Sequence, residues 1–344
     1  MIVPADYHDF GSFVSHVTLE GKKIYFDPCH GNNGDELIIL GAEAVFARTG
    51  AVLTADPAAA GVIIINGGGM FVEGFEQGFS KVRDYSETYP RTPLCIGPQS
   101  FHLKSNAFAA IIARRTAPTI ICLREQPSED NLLPWIRDLD QVVLLRDHDL
   151  AFQIDEDHGI FRRPLGDKHI LIVERRDSEH YTKTVPVEGE PVSIRDRIRG
   201  LFPESIQRPV RFLKALLFAR KMTPFRQWTE DTIARDHPEL RGLPRFVRDL
   251  SSREVATFDK FVQTICDAAL VFTDRLHVGI LAARLGKKTY LFEGNYHKCT
   301  GIYERSMGNY PNAVLVPRAA VLSASMPSGA GTVASQPAPV NNEG

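Results

Sequence analysis

Within five residues, Thr273-Asp274-Arg275-Leu276-His277 sets a carboxylate, a guanidinium and an imidazole side by side. The stretch closes an apolar run, Leu270 to Phe272, and opens a helical pattern reaching about Leu285. A helix start offers backbone N–H groups and the positive end of its dipole, so Arg275 and His277 there would meet an anion. Read structurally instead, Asp274 caps the helix and pairs with Arg275, and His277 fills a polar core site.

Other segments place chemistry at comparable positions. Gly31-Asn32-Asn33-Gly34-Asp35 follows the first apolar run and opens a helix at about Asp35. Its glycines let backbone approach a ligand, although taken alone Asp35 reads more readily as a plain cap. It matches neither the GxGxxG nor the GxxxxGK[ST] nucleotide fingerprint. Asn66-Gly67-Gly68-Gly69-Met70 follows an apolar run, as a close-approach loop or a sharp turn, and Gly97-Pro98-Gln99-Ser100 ends the next strand with side chains that could donate to a hydroxyl. Arg124, after Leu123, is either a salt-bridged surface residue or a fork for a carboxylate or phosphate. Asp149-Leu150-Ala151-Phe152 and Asn295-Tyr296-His297-Lys298 also come soon after apolar runs, and Lys298 would add positive charge to the same pocket. Cys29-His30 and His297-Lys298-Cys299 match no metal-ligand spacing, so no metal is expected.

The elements that must position these residues follow from periodicity. Lys23 to Phe26, Val62 to Ile65, Leu94 to Ile96, Thr119 to Leu123 and Val142 to Leu145 read as buried strands. Glu36 to Arg48 and Asn106 to Arg115 read as helices between them. The pattern restarts with His169 to Val173, Leu270 to Thr273 and Thr289 to Phe292. An α/β protein with two Rossmann-like halves facing a cleft is expected, with ligands at the carboxyl edges of parallel strands. The boundaries read as 1–155 for the first half, 156–318 for the second and 319–344 for a disordered Ala/Ser/Pro/Gly tail. Residues 193–228 interrupt the second half with nine basic residues and interleaved apolar ones. They read as a helical insertion with a solvated basic face, or as a surface for anionic membrane that high salt would release.

The chain has 344 residues, with 40 Lys+Arg against 42 Asp+Glu and a net charge of −2. That near-neutral balance argues against a nucleic-acid binder. Met1 to Asp6 show no signal-peptide pattern, and no apolar run is long enough to span a membrane. Five scattered cysteines without a CxxC pair fit a reducing compartment. A cytoplasmic protein is expected.

In this order, the pieces resemble the polysaccharide pyruvyl transferase family, from about Gly31 to Tyr303. The resemblance is carried by Gly31 to Asp35, Gly67 to Gly69, Gly97 to Ser100, Arg124 with Ser128, Asp149 to Phe152, Thr273 to His277 and Asn295 to Lys298. It implies a fold like the GT-B glycosyltransferases and an enzyme that moves the enolpyruvyl group of phosphoenolpyruvate onto two hydroxyls of a sugar. The products would be a pyruvate ketal and phosphate, with no nucleotide or essential metal implied. The acceptor would be a saccharide, usually lipid-linked, in exopolysaccharide assembly; docking of the basic segment 193–228 on the cytoplasmic face of the inner membrane would bring the cleft near it. By this resemblance Arg124 and Arg275 hold the donor from opposite halves, His277 is the general acid/base and Lys298 adds charge. Asn32, Asp35 and Gln99 would orient the sugar, with Gly68, Ser100, Asp149, Asp274 and Asn295 also on the substrate side. Leu150 and His297 depart from the family's usual Pro and Gly. The alternatives are a nucleotide-sugar glycosyltransferase and a non-catalytic saccharide-binding relative.

Overall fold

The computed structural model describes residues 7–72, 76–175 and 222–323. Most of the basic segment and of the expected tail lies outside them. Two wholly parallel sheets, following one another along the chain, carry the structure. The first contains β1 (Ile24–Asp27), β2 (Val62–Ile65), β3 (Gly68–Val72), β4 (Leu94–His102), β5 (Thr119–Leu123) and β6 (Val142–Arg146). Its order is β1-β2-β4-β5-β6, with β3 added along β4. The second contains β7 (His169–Val173), β8 (Arg245–Val247), β9 (Ala268–Thr273), β10 (Lys288–Phe292) and β11 (Ala313–Val316), ordered β11-β10-β9-β7-β8.

Strands such as Val62–Ile65 and Thr119–Leu123 are apolar almost throughout because helices cover both faces of each sheet. The two-residue period then sorts side chains between two cores. Ile64, Cys95, Ile120 and Cys122 join one core, and Ile63, Ile65, Ile96, Ile121 and Leu123 the other. The helices on the first sheet are α1 (Phe10–Leu19), α2 (Asn33–Thr49), α3 (Glu76–Thr88), α4 (Ala107–Ile112) and α5 (Gln126–Ile136). Those on the second are α6 (Pro224–Asp236), α7 (Phe258–Cys266), α8 (Leu276–Arg284), α9 (Lys298–Arg305) and α10 (Arg318–Ser323). Among the described residues no helix is long and apolar enough to cross a membrane. All five cysteines are buried free thiols.

Helix α2 shows how the sequence sets one of these elements. Asn32 caps it, accepting from Gly34 N at 2.7 Å, while Asp35 Oδ2 accepts from Asn32 N at 2.7 Å. Gly50, at φ 68°, ends it in the left-handed region. Ile38, Ala42, Val45 and Phe46 pack on the first sheet, whereas Leu37 enters the core of the second. Gly41 lets the helix lie directly on the backbone at Leu150, where any Cβ would overlap the Leu150 carbonyl.

Several expectations need correction. Gly97 to Ser100 do not follow a strand but lie inside β4, which runs on to His102. A register shift between Ile96 and Gln99 accommodates Pro98, which has no N–H to give the ladder. Gly68 and Gly69 belong to a strand, β3, rather than to a turn. The helix expected through Arg115 stops at Ile112. The Arg115 guanidinium is buried and donates to the Tyr85, Tyr89 and Thr92 carbonyls. Arg226, counted within a solvated basic face, is instead buried against Glu174 at 3.0 Å. Residues 319–323 complete α10 and are not tail.

Candidate active site

The carboxyl ends of both sheets meet at a cavity of about 320 Å³. Arg124 follows β5, Arg175 follows β7, Arg275 follows β9, and Lys298 opens the helix after β10. His277, Asn32 and Asp35 complete its polar wall, with Gly31, Gly69, Met70, Gln77, Ser251 and Leu276. The lining thus holds four permanent cations against one carboxylate.

Arg124 is fixed from behind and only 1% exposed. Its Nε donates to Ser100 Oγ at 2.9 Å and its Nη1 to Asp149 Oδ2. Burial opposes its charge, yet the carboxylates of Asp149 and Glu125 raise its affinity for the proton. Asp149 leaves β6 through a short 3₁₀ turn that it caps, accepting from Ala151 N at 2.8 Å. Its Oδ2 also lies 3.4 Å from His277 Nε2, so one buried carboxylate joins an arginine of the first sheet to a histidine of the second. Burial works against ionisation of Asp149, but Arg124 and then His277 outweigh it and hold the carboxyl well below its usual range. With Asp149 ionised, a proton on His277 Nε2 has an acceptor, which orients the ring.

Arg275 occupies the cap position of α8, and its N–H donates to Thr273 Oγ1 at 2.9 Å. Its guanidinium forms a fork on Asp249, through Nε at 3.1 Å and through Nη2. Asp249 belongs to a loop that the first sheet holds in place. Asn33 Nδ2 donates to the carbonyls of Leu250 and Ala256 at 2.9 and 2.8 Å, and Asn33 N donates to Ser251 O. The loop Gly31 to Asp35 therefore lines the cavity and also anchors the segment that aims Arg275. Two of its glycines answer to close contacts. A Cβ at Gly31 would overlap the Asp35 carboxylate, and one at Gly34 would sit 2.7 Å from His277 Nδ1.

A second buried cluster stands behind Arg124. Ser128 Oγ donates to Glu125 and lies 3.3 Å from His297 Nε2. Burial raises the Glu125 pKa despite Arg124. Burial, helped by His102, Lys298 and Arg124, pushes His297 down to about 4. His297 is thus a neutral imidazole at pH 7, set between helix α5 and the start of α9.

Of the residues expected at the site, His277, Arg275, Arg124, Lys298, Asn32 and Asp35 line the cavity. Gly68, Gln99, Ser100, Asp149, Asp274 and Asn295 do not. Gln99 is fully buried, accepting from Met70 N at 3.2 Å and donating to Asn66 O, and so pins β3 to β4. Ser100 and Asp149 act through Arg124. Asp274 does not cap its own helix; its Oδ1 accepts from Arg175 N at 2.8 Å, joining the exits of β7 and β9. Gly68 carries φ 138°, a backbone demand of its own, while its neighbour Gly69 faces the cavity. Arg175 was not anticipated, although Glu174-Arg175 follows an apolar run just as Arg124 follows another. Ser251 has no local signal, because it reaches the cavity only through the tie to Asn33. Among the described residues no group of three or more His, Cys, Asp or Glu is placed to hold a metal.

No protein-family model matches the chain, and no curated protein matches it. Among solved structures it is similar to a functionally uncharacterised protein of Klebsiella pneumoniae subsp. pneumoniae NTUH-K2044. The two share 17% identity and a TM-score of 0.57, over 89% of this chain and 96% of that one. The likeness extends to the fold, an α/β arrangement with parallel sheets.

Proposed function

We propose that the protein is a transferase that moves the enolpyruvyl group of phosphoenolpyruvate onto two hydroxyls of a sugar, forming a cyclic ketal and releasing phosphate. The observation that carries the reading is the cavity itself. Arg124, Arg175, Arg275 and Lys298, drawn from both sheets, face one space of about 320 Å³ beside His277. Phosphoenolpyruvate brings a carboxylate and a phosphate, and a site with several fixed cations suits it. In this reading the two sheets with their helices are two domains, residues 1–155 and 156–318, in a GT-B-like arrangement.

The chemistry asks for a group that both gives and takes protons. His277 delivers a proton to the methylene carbon, which becomes the methyl group, as the first sugar hydroxyl bonds to the adjoining carbon. That hydroxyl's proton restores the imidazolium. The C–O bond to phosphate then breaks, the second hydroxyl bonds to the same carbon, and its proton leaves with the phosphate. Asp149 stabilises the imidazolium that begins and ends the exchange. Asn32 and Asp35, on the α2 side, offer an acceptor and a carboxylate to sugar hydroxyls.

The test is a melting series with phosphoenolpyruvate and a panel of nucleotide sugars, on the native protein, Arg175→Ala and Arg275→Ala. A ligand at 100 times its dissociation constant adds about 2.7 kcal/mol, which is readily seen. Stabilisation by phosphoenolpyruvate that both variants lose is expected. Stabilisation by a nucleotide sugar alone would turn the reading to glycosyl transfer, and full ketal-forming activity in His277→Ala would remove the role given to that residue.

A further inference from the structure

We infer that the phosphoryl group of the donor sits over the bare backbone of Gly69, between Arg124 Nη2 and Lys298 Nζ. The inference rests on the donor proposed above and locates one end of it. Most glycines around the cavity are explained by the fold. Gly31, Gly34, Gly67, Gly78 and Gly97 each face an atom closer than 3.0 Å to where a Cβ would stand, and Gly68 needs its positive φ. Gly69 meets neither condition. Its φ lies outside the left-handed region, and the nearest atoms to a Cβ there would be at ordinary contact distance. Glycine weakens a strand relative to alanine, so within β3 the choice costs stability and returns nothing to packing.

What lies at that contact distance gives the position its meaning. The atoms nearest to the missing Cβ are Arg124 Nη2 and Lys298 Nζ, both at 3.6 Å. The volume that a methyl group would fill is therefore faced by one nitrogen from each of two cations, one from each sheet. Arg124 is held with its other nitrogens on Ser100 and Asp149, which aims Nη2 at this spot. Lys298 carries its ammonium near the Tyr296 ring, 5.2 Å from its centroid. A tetrahedral group presents oxygens in divergent directions and suits a point-charge ammonium with a single guanidinium arm. The guanidinium fork serves carboxylate and phosphate alike, so it is the point charge of the ammonium beside a single guanidinium arm that favours the phosphoryl end here.

Calorimetric titration with inorganic phosphate, and separately with pyruvate, tests the subsite without requiring turnover. The proteins are the native chain, Gly69→Ala, Lys298→Gln, and Gly159→Ala as a control in open space away from the cavity. Phosphate affinity is expected to fall tenfold or more in Gly69→Ala and in Lys298→Gln and to hold in Gly159→Ala, with the unligated melting temperature of Gly69→Ala no lower than that of the native chain. Phosphate bound equally well by the native chain and by either folded cavity variant would overturn the inference, as would no phosphate binding by the native chain. A loss confined to pyruvate would give the subsite to the carboxylate and overturn the phosphoryl assignment. Ketal formation with phosphate affinity untouched by Gly69→Ala defeats this subsite alone. Phosphate binding that depends on Gly69, in a protein that forms no ketal, defeats only the proposed reaction.

Discussion

Arg124, Asp149 and His277 behave as a unit because one carboxylate serves both cations. A buried ion pair stripped of one partner is strongly destabilised, typically by about 3–5 kcal/mol, so removing Asp149 tests the fold as well as the proposed reaction. Its ties to Arg124 and His277 are not visible in its sequence neighbourhood. His297 is a separate matter and makes a prediction of its own. Its ordinary value of 6.5 falls to about 4 in the folded chain. Between those values the unfolded chain binds a proton at this side chain that the folded chain refuses, so stability rises with pH across the window. The contribution is present above pH 6.5 and is lost as pH falls toward 4. Urea unfolding from pH 4 to 7 should therefore show a shallower slope in His297→Asn than in the native protein. Equal slopes would mean the ring is not held neutral by its surroundings.

At the scale of elements, the site depends on how tightly two helix starts approach each other. The first turn of α2 and the first turn of α8 come from different sheets, and Gly34 lets the His277 ring rest against the α2 backbone. Gly34→Ala should push the ring off Asp149. The expected result is a hundredfold or greater loss of turnover with phosphoenolpyruvate, at a cost in melting temperature smaller than that of removing Asp149. Activity near the native level would show that His277 can do its work from a displaced position. Much of this arrangement could be read before any coordinates. The run Thr119 to Leu123 is β5 residue for residue, and Arg124 lands at its carboxyl edge because parallel strands end where ligands bind. Gln99 could not be placed correctly, since Gly97-Pro98 looks like a strand terminus and only pairing on both sides of β4 carries the strand through it. Helix α5 has no clear periodic signature because Pro127 and Pro134 break its pattern, though Pro127 sits in the first turn, where its missing N–H costs nothing. Asn33 lay within a recognised loop, yet its partners are more than 200 residues away, beyond any local rule.

Across the whole molecule, a few polar ties hold the two sheets in register. Asn33 meets the 250–256 loop, Arg284 donates to the Ala151 and Ile154 carbonyls, and Arg305 donates to Asp147 O at 2.7 Å. Asn33→Ala leaves two carbonyls without their donor at a buried junction. A loss of about 1–3 kcal/mol per group left unsatisfied is the expected scale, read by urea unfolding. The same variant should weaken phosphoenolpyruvate binding although Asn33 Nδ2 points away to the loop carbonyls, because Asp249 then no longer aims Arg275. A stable variant with native affinity would show that the loop holds its shape unaided.

The order in which a ribosome delivers these residues differs from the order in which they are needed. Residues 24–146 can complete their sheet early, but Leu37, Ala151 and Ile154 find their apolar neighbours only in the layer built from residues 160 onward. During synthesis these positions form a greasy seam on a half-made protein, open to chaperones and to other nascent chains. Three of the four cavity cations, Arg175, Arg275 and Lys298, emerge afterwards, and Lys298 emerges last. A chain interrupted before that residue leaves the apolar positions uncovered and the cavity without its full set of cations.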